Sequence, residues 1–262
     1  MNKYAIGLAA FAVAGAAFYA GVSSSVRPVE PALVAIDLPT DIESEAAIDQ
    51  SIRDFLERHP EVVVEAQQKY AQIQADNEAA AAKSAVAENR SKLMSDPASP
   101  IVGNPNGKVT LVEFFDYNCG YCRKAHEDML AVQKGNPEVR IVLQPFPILG
   151  PDSTAAHMVA SAFHTLYPEK YAEFHSAILS APEKADEAVT MGIAKGLGGD
   201  EAALRIAMAK PAVNEGFNRT YALANALKIT GTPTYVIGDE IVSGAVGVEA
   251  LNAGIKSIST TN

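Results

Sequence analysis

The chain has 262 residues, 48% of them hydrophobic and 20% charged, with a formal net charge of −10. This is ordinary globular composition, with room for a leader plus one large or two small domains. The acidic balance argues against a nucleic-acid partner, because a phosphate binder needs a basic surface.

The chain opens on Met1-Asn2-Lys3 and then runs apolar and uncharged from Tyr4 to Val22. Such a run, followed by SSSVRP, reads as a signal peptide or an N-terminal membrane anchor over residues 1–22. Phe18 stands where a small residue usually precedes a cleavage site, so the text leaves cleavage open. In either case the remainder is expected to be exported, to a periplasmic setting in which disulfides form and persist. Residues 23–43 carry three prolines and no helical period, and read as an extended linker.

From about residue 44 to 96 the chain is rich in Ala, Glu, Gln and Lys, which predicts helix. A first short helix carries Ile48, Ile52, Phe55 and Leu56 on one face and stops near His59-Pro60, since proline disfavours a helical residue before it. A longer helix starts at Pro60. Val63, Tyr70, Asn77 and Ser84 recur at heptad spacing, with Ala66, Ile73, Ala80 and Ala87 between them. A polar Asn77 on such a seam is a device that fixes register and oligomer state. The small seam residues fit a solvated spacer equally well.

SDPASPIVGNPNGK, residues 95–108, is a Pro/Gly/Asn-rich boundary, and a catalytic domain is expected from 97 to 262. Val109–Phe115 reads as a buried strand that runs into FFDYNCGYCRKAH, which holds both cysteines of the chain, Cys119 and Cys122. A helix follows to about Gly135, then a strand with Val139, Ile141 and Leu143 alternating. Ala-rich helices form an insertion over about 150–210, and a further helix begins at Pro211. A hairpin turns at Gly238-Asp239, and a last helix covers Val248 to about Ile258. The order predicts an α/β fold.

The cysteine spacing has three chemical readings. A structural staple is a poor use of the pair, because the entropy a disulfide removes from the unfolded chain grows with the loop it closes. A zinc site needs about four ligands and there is no second Cys-x-x-Cys, although Cys119, Cys122 and His126 make one conceivable metal-binding face. A redox pair fits best. A strand that ends just before a helix puts Cys119 at the helix N-terminus, where unpaired N–H groups and the dipole favour a thiolate. That thiolate attacks a substrate disulfide and Cys122, one turn on, resolves the mixed disulfide. Gly120 and Tyr121 lie between them and tune the pair. The other histidines, His157, His164 and His175, read as ordinary helix residues.

EFFDYNCGYC, the helical block after the second strand, and GTPTYVIG together resemble the DsbA-type branch of the thioredoxin superfamily over about residues 104–258. The resemblance implies a thioredoxin fold with an inserted helical subdomain, preceded here by an N-terminal helical stalk. It implies that Thr232 and Pro233 form a cis-proline loop that faces the cysteines and pairs with substrate backbone, whereas the text alone fits a proline that opens a strand. It also implies that Glu113 is an acid buried beneath the cysteines, which strand alternation alone does not decide. The front helices with FLERHPEVVVEA resemble ScsC-like proteins, linked to copper tolerance, in which N-terminal helices hold catalytic domains together as a trimer. Gly-Tyr between the cysteines and Thr before the proline resemble the isomerase DsbC more than the oxidase DsbA. The function implied is an exported protein disulfide isomerase or reductase acting on disulfide-containing client proteins. A membrane redox partner would reset the pair, and the redox-active disulfide itself would serve in place of a cofactor or metal. A DsbA-like oxidase and a copper-binding thiol protein, since thiolates are soft ligands for Cu(I), are the alternatives.

Overall fold

The structure, a computed structural model, describes residues 45–259. The expected leader and linker lie outside the described residues. Contacts divide the chain at Pro60 into two units. In the first, α1 (Glu45–Arg58) exposes Ile48, Ile52, Phe55 and Leu56 along one stripe, and the Phe55 and His59 rings meet at 4.8 Å. Among the described residues no helix is long and apolar enough to cross a membrane.

The second unit begins with α2 (Glu61–Ser95) and continues through β1 (Ile101–Gly103), β2 (Val109–Phe115), α3 (Gly120–Gly135) and β3 (Val139–Pro145). The helical insertion follows as α4 (Pro151–Leu166), a 3-10 turn, α5 (Tyr171–Ser180), α6 (Glu187–Gly196) and α7 (Glu201–Met208). The chain closes with α8 (Pro211–Ala226), β4 (Thr234–Ile237), β5 (Glu240–Ser243) and α9 (Val248–Ser259). The strands form one sheet in the order β1-β3-β2-β4-β5, with β2 and β3 parallel and the other pairs antiparallel. Gly238, at φ 64°, takes the left-handed conformation that the two-residue β4–β5 turn needs.

Helices cover both faces of this sheet, so β2 and β3 are buried almost throughout and the expected alternation along β3 is masked. The two faces can still be told apart by the company each residue keeps. Leu111 and Phe115 share a core with Cys119, Cys122, Met129, Leu251 and the insertion, whereas Val112 and Phe114 pack with Val86, Leu93, Leu223 and Leu227. Odd-numbered positions of β2 therefore face the cysteine-bearing helix, and Glu113 is one of them.

The boundary expected at 96/97 needs correction. The last turns of α2 belong to the body of the domain: Val86, Asn89 and Leu93, at i, i+3 and i+7, are buried against the sheet and α8. Arg140 donates to the Met94 carbonyl at 2.9 Å, and Arg219 clasps Asp96 through two bonds of 2.7 and 3.1 Å. The seam positions Val63, Tyr70, Ile73, Asn77, Ser84 and Ala87 lie on exposed helix surface. A second departure is β1, which takes three residues of the supposed boundary loop and pairs them with β3.

Candidate active site

Cys119 caps α3 in an extended conformation (φ −75°, ψ 113°), with its carbonyl accepting the first helical bond from Arg123 at 3.0 Å. The loop ahead of it is fixed by Asp116. One carboxylate oxygen of Asp116 accepts from Asn118 N–H at 2.8 Å, and the other accepts from Ile148 and Leu149 N–H at 2.9 and 3.0 Å. Gly120 and Tyr121 form the exposed first turn; Tyr121 is 68% exposed, and a side chain at position 120 would meet nothing within 4 Å. The approach to Cys119 is therefore open on this side.

Across from the cysteines, the Thr232-Pro233 bond is cis. When protonated, the Cys119 thiol donates to the Thr232 carbonyl at 3.2 Å. The expected cis-proline loop thus lies against the Cys119 sulfur.

Both cysteines are free thiols, and their environments differ sharply. The Cys119 pKa is pulled down to about 5, chiefly because the Cys122 thiol donates a hydrogen bond to its sulfur. Burial opposes this, while the Thr232 side chain and the N–H groups of Cys122 and Tyr121 add to it. Cys122 moves the other way: its bond to Cys119 retains its proton, and burial and the nearby Glu113 push its pKa further up. Glu113 itself is 4% exposed and its pKa is pushed up to about 8, first by burial and then by the charge of Cys119. The structure thus brings together Cys119, Cys122, Glu113, Thr232 and Pro233, with Gly120 and Tyr121 at the mouth.

His126 does not join the cysteines as a ligand; its Nε2 pairs with Ser176 Oγ at 2.8 Å. Among the described residues no cluster of three or more His, Cys, Asp or Glu side chains is arranged to hold a metal ion. His157 and His175 lie on α4 and α5, as expected, with their side chains in the interior. They are buried around Tyr117, whose hydroxyl lies 3.0 Å from that of Tyr171 and 3.1 Å from Nδ1 of His175. Burial holds both histidines neutral, His157 with a pKa of about 4.

Sequence reasoning passed over a clamp made by Asn118 and Arg123. Asn118 exchanges hydrogen bonds with the backbone of Ala185, and Arg123 donates to the carbonyls of Tyr117, Ala181 and Glu183. These bonds tie the α5–α6 loop of the insertion to the cysteine loop. The available signal was the presence of two multi-donor side chains immediately flanking the cysteine pair.

A low-pKa thiolate at a helix start, a buried partner thiol and a facing cis-proline define the site of a thiol–disulfide oxidoreductase on a thioredoxin fold with a helical insertion. Residues 110–256 match the family model of the DSBA-like thioredoxin domain, and the chain belongs to that family. It is similar to a thioredoxin-like oxidoreductase from Silicibacter pomeroyi DSS-3, with 38% identity and TM-score 0.63, over 66% of this chain and 98% of that one. It is also similar to the thiol-disulfide exchange protein alpha-DsbA2 from Wolbachia pipientis, with 28% identity and TM-score 0.64, over 69% of this chain and 97% of that one. Proteus mirabilis ScsC in a transitional conformation matches over 81% of this chain and 94% of its own, with 26% identity and TM-score 0.61. No curated protein matches the chain.

Proposed function

We propose that the protein is an exported disulfide isomerase and reductase that works with Cys119 reduced and acts on envelope proteins as a homo-oligomer. The observation that carries this reading is the opposed pKa displacement of the two thiols, down for Cys119 and up for Cys122. The Cys119 thiolate attacks one sulfur of a client disulfide; that S–S bond breaks, a mixed disulfide forms, and the other client sulfur leaves as thiolate. If a second client thiol then attacks the mixed disulfide, Cys119 departs as thiolate and the client has been rearranged with no net electron transfer. If instead the Glu113 carboxylate takes the Cys122 proton, the Cys122 thiolate attacks Cys119 and expels the client. Two electrons then pass to the client, the Cys119–Cys122 disulfide forms, and a membrane redox partner reduces it again. In this reading Thr232 and Pro233 present backbone to the client, and Gly120 and Tyr121 border it.

Self-association is supported by the exposed apolar residues ahead of the domain body, Ile48, Ile52, Phe55 and Leu56 in α1 and Val63, Tyr70 and Ile73 in α2. A trimer is the form that the resemblance implies. Linked copies would hold several thiolates near one client at high effective concentration. The test pairs two assays on the exported chain: reactivation of scrambled ribonuclease against oxidation of reduced ribonuclease, with the solution mass measured alongside. Reactivation of scrambled ribonuclease by an oligomer is expected. Oxidation of the reduced form alone identifies an oxidase instead.

A further inference from the structure

Glu113 on β2 and Tyr235 on β4 are directly opposed in the antiparallel pair. Opposed residues send their side chains to the same face, which here is the face of α3 and the cysteines, where Tyr235 joins the core of Cys119 and Cys122. Tyr235 is 1% exposed and its hydroxyl is buried without a hydrogen-bond partner. Such groups are rare in folded proteins, because a lost bond to water is not replaced. Phenylalanine would fill the same space without that penalty, so the oxygen calls for an explanation.

Its surroundings supply one. Burial first, then the charges of Glu113, Cys122, Asp128 and Cys119, raise the Tyr235 pKa, so the hydroxyl keeps its proton and remains a donor. The half-buried Asp128 comes from α3, and Tyr117, from the loop before it, also feels Glu113. Asp116, buried in the cysteine loop, has its carboxylate held by Asn118, Ile148 and Leu149 N–H, and burial holds His126, His157 and His175 neutral. The β3 neighbour of Glu113 is Leu143 and the β5 neighbour of Tyr235 is Val242. Of α9, Leu251 and Ile255 are buried, while its charged Glu249 and Lys256 are exposed.

We propose that Tyr235 is a positioning residue for proton transfer, its hydroxyl donating to the Glu113 carboxylate once that group ionises. The proposal rests on the reading of Glu113 as the base for Cys122. With Cys119 as thiolate, Glu113 holds its proton and offers Tyr235 only the weaker acceptor of a neutral carboxyl group. When the mixed disulfide removes the Cys119 charge, Glu113 ionises more readily and the waiting donor stabilises the carboxylate. Glu113 then takes the proton of Cys122, the Cys122–Cys119 bond forms, and the client sulfur leaves with the electron pair. Glu113 afterwards releases its proton to water.

The test follows the resolving step by rapid mixing from pH 5 to 10, in wild type, Tyr235→Phe, Glu113→Gln and the double variant, with melting temperatures for each. Wild type is expected to accelerate through an apparent pKa below the value of about 8 that Glu113 has beside the Cys119 thiolate, because the mixed disulfide lacks that charge. Tyr235→Phe should move that limb up by about one unit, slowing the step about tenfold on its acid side and little on its alkaline side, while the melting temperature holds or rises. In Glu113→Gln the limb should vanish, and adding Tyr235→Phe should then change the rate less than about twofold. If Glu113→Gln keeps the limb, the reading of Glu113 fails. If it loses the limb but Tyr235→Phe keeps the wild-type profile, only the Tyr235 inference is overturned. An equal Tyr235→Phe effect with and without Glu113 also overturns it, because the hydroxyl then acts elsewhere.

Discussion

A chain that starts at Asp96 retains every residue of the cysteine site and loses all of α2. Val86 and Leu93, each 1% exposed, are removed with it, and the surfaces of Val112, Phe114, Phe146 and Leu223 that they cover open to water. Burying a Val or Leu side chain contributes about 1.5–3 kcal/mol, so these two alone account for about 3–6 kcal/mol. A domain of this kind has only about 5–15 kcal/mol in total. The Arg140 bond to the Met94 carbonyl is lost as well, the Gln144 amide loses the Leu93 carbonyl it meets at 3.3 Å, and Asp96, which Arg219 clasps, becomes the chain start. Urea unfolding of the dithiol form, followed by circular dichroism, should therefore give a much lower midpoint for a start at Asp96. Starts at Glu61 and at Ala79, which keep the buried turns of α2, should share one midpoint. Equal midpoints for all three would refute the assignment of these turns to the core. The comparison also selects the right truncation for testing self-association. A start at Ala79 removes the exposed apolar stripe without uncovering the sheet, so a loss of isomerase activity there is not mere unfolding.

Alkylation of Cys119 should stay at its thiolate level as pH falls from 9 and drop only through about pH 5, with Cys122 unreactive across the neutral range; a drop between pH 8 and 9 would remove the basis for assigning attack to Cys119. Folding lowers this pKa from its ordinary 9.0, so the thiolate should stabilise the dithiol form fully above pH 9, with the gain lost as pH falls through about 5, relative to Cys119→Ala. Raising the pH from 6 to 9 should shift products from rearranged towards reduced client, because more of Glu113 is ionised; an unchanged product ratio, read by mass spectrometry of trapped thiols, would count against Glu113 as the base for Cys122.

The strand running into the cysteines, the helix that Cys119 caps, and the Gly238-Asp239 hairpin were legible because each is signalled by neighbouring residues. Glu113 was not, and the reason is physical. A strand covered on both faces carries apolar residues at odd and even positions alike, so Val112 and Phe114 could not tell which way Glu113 points. Only the two separate cores decide it. The end of α2 was hidden for a related reason. Between Ala79 and Ser95 its large apolar residues are Val86, Leu93 and Met94, too sparse against alanine to mark a buried face. β1 was lost among the prolines and glycines around it, since three residues make no period. The cluster of Tyr117, Tyr171, His157 and His175 joins elements that are distant in sequence, which no local pattern reports.

The two thiols differ chiefly because Cys122 donates its proton to the Cys119 sulfur at the start of the helix, and that difference bears on what the pair does best. A low pKa makes Cys119 abundant as thiolate but also less nucleophilic for its charge, and above all a good leaving group. An isomerase needs that last property, since each cycle must end with a client thiol expelling Cys119. The competing event is attack by Cys122, which cannot begin until a proton held firmly in the interior is removed. On the proposed function Glu113, whose pKa burial keeps raised in the mixed disulfide too, supplies that base only part of the time at neutral pH. The mixed disulfide is thereby given time for rearrangement before Cys122 ends it by reduction. On the proposed function, burial of one carboxyl group beneath the cysteines acts as the timer that separates isomerisation from escape.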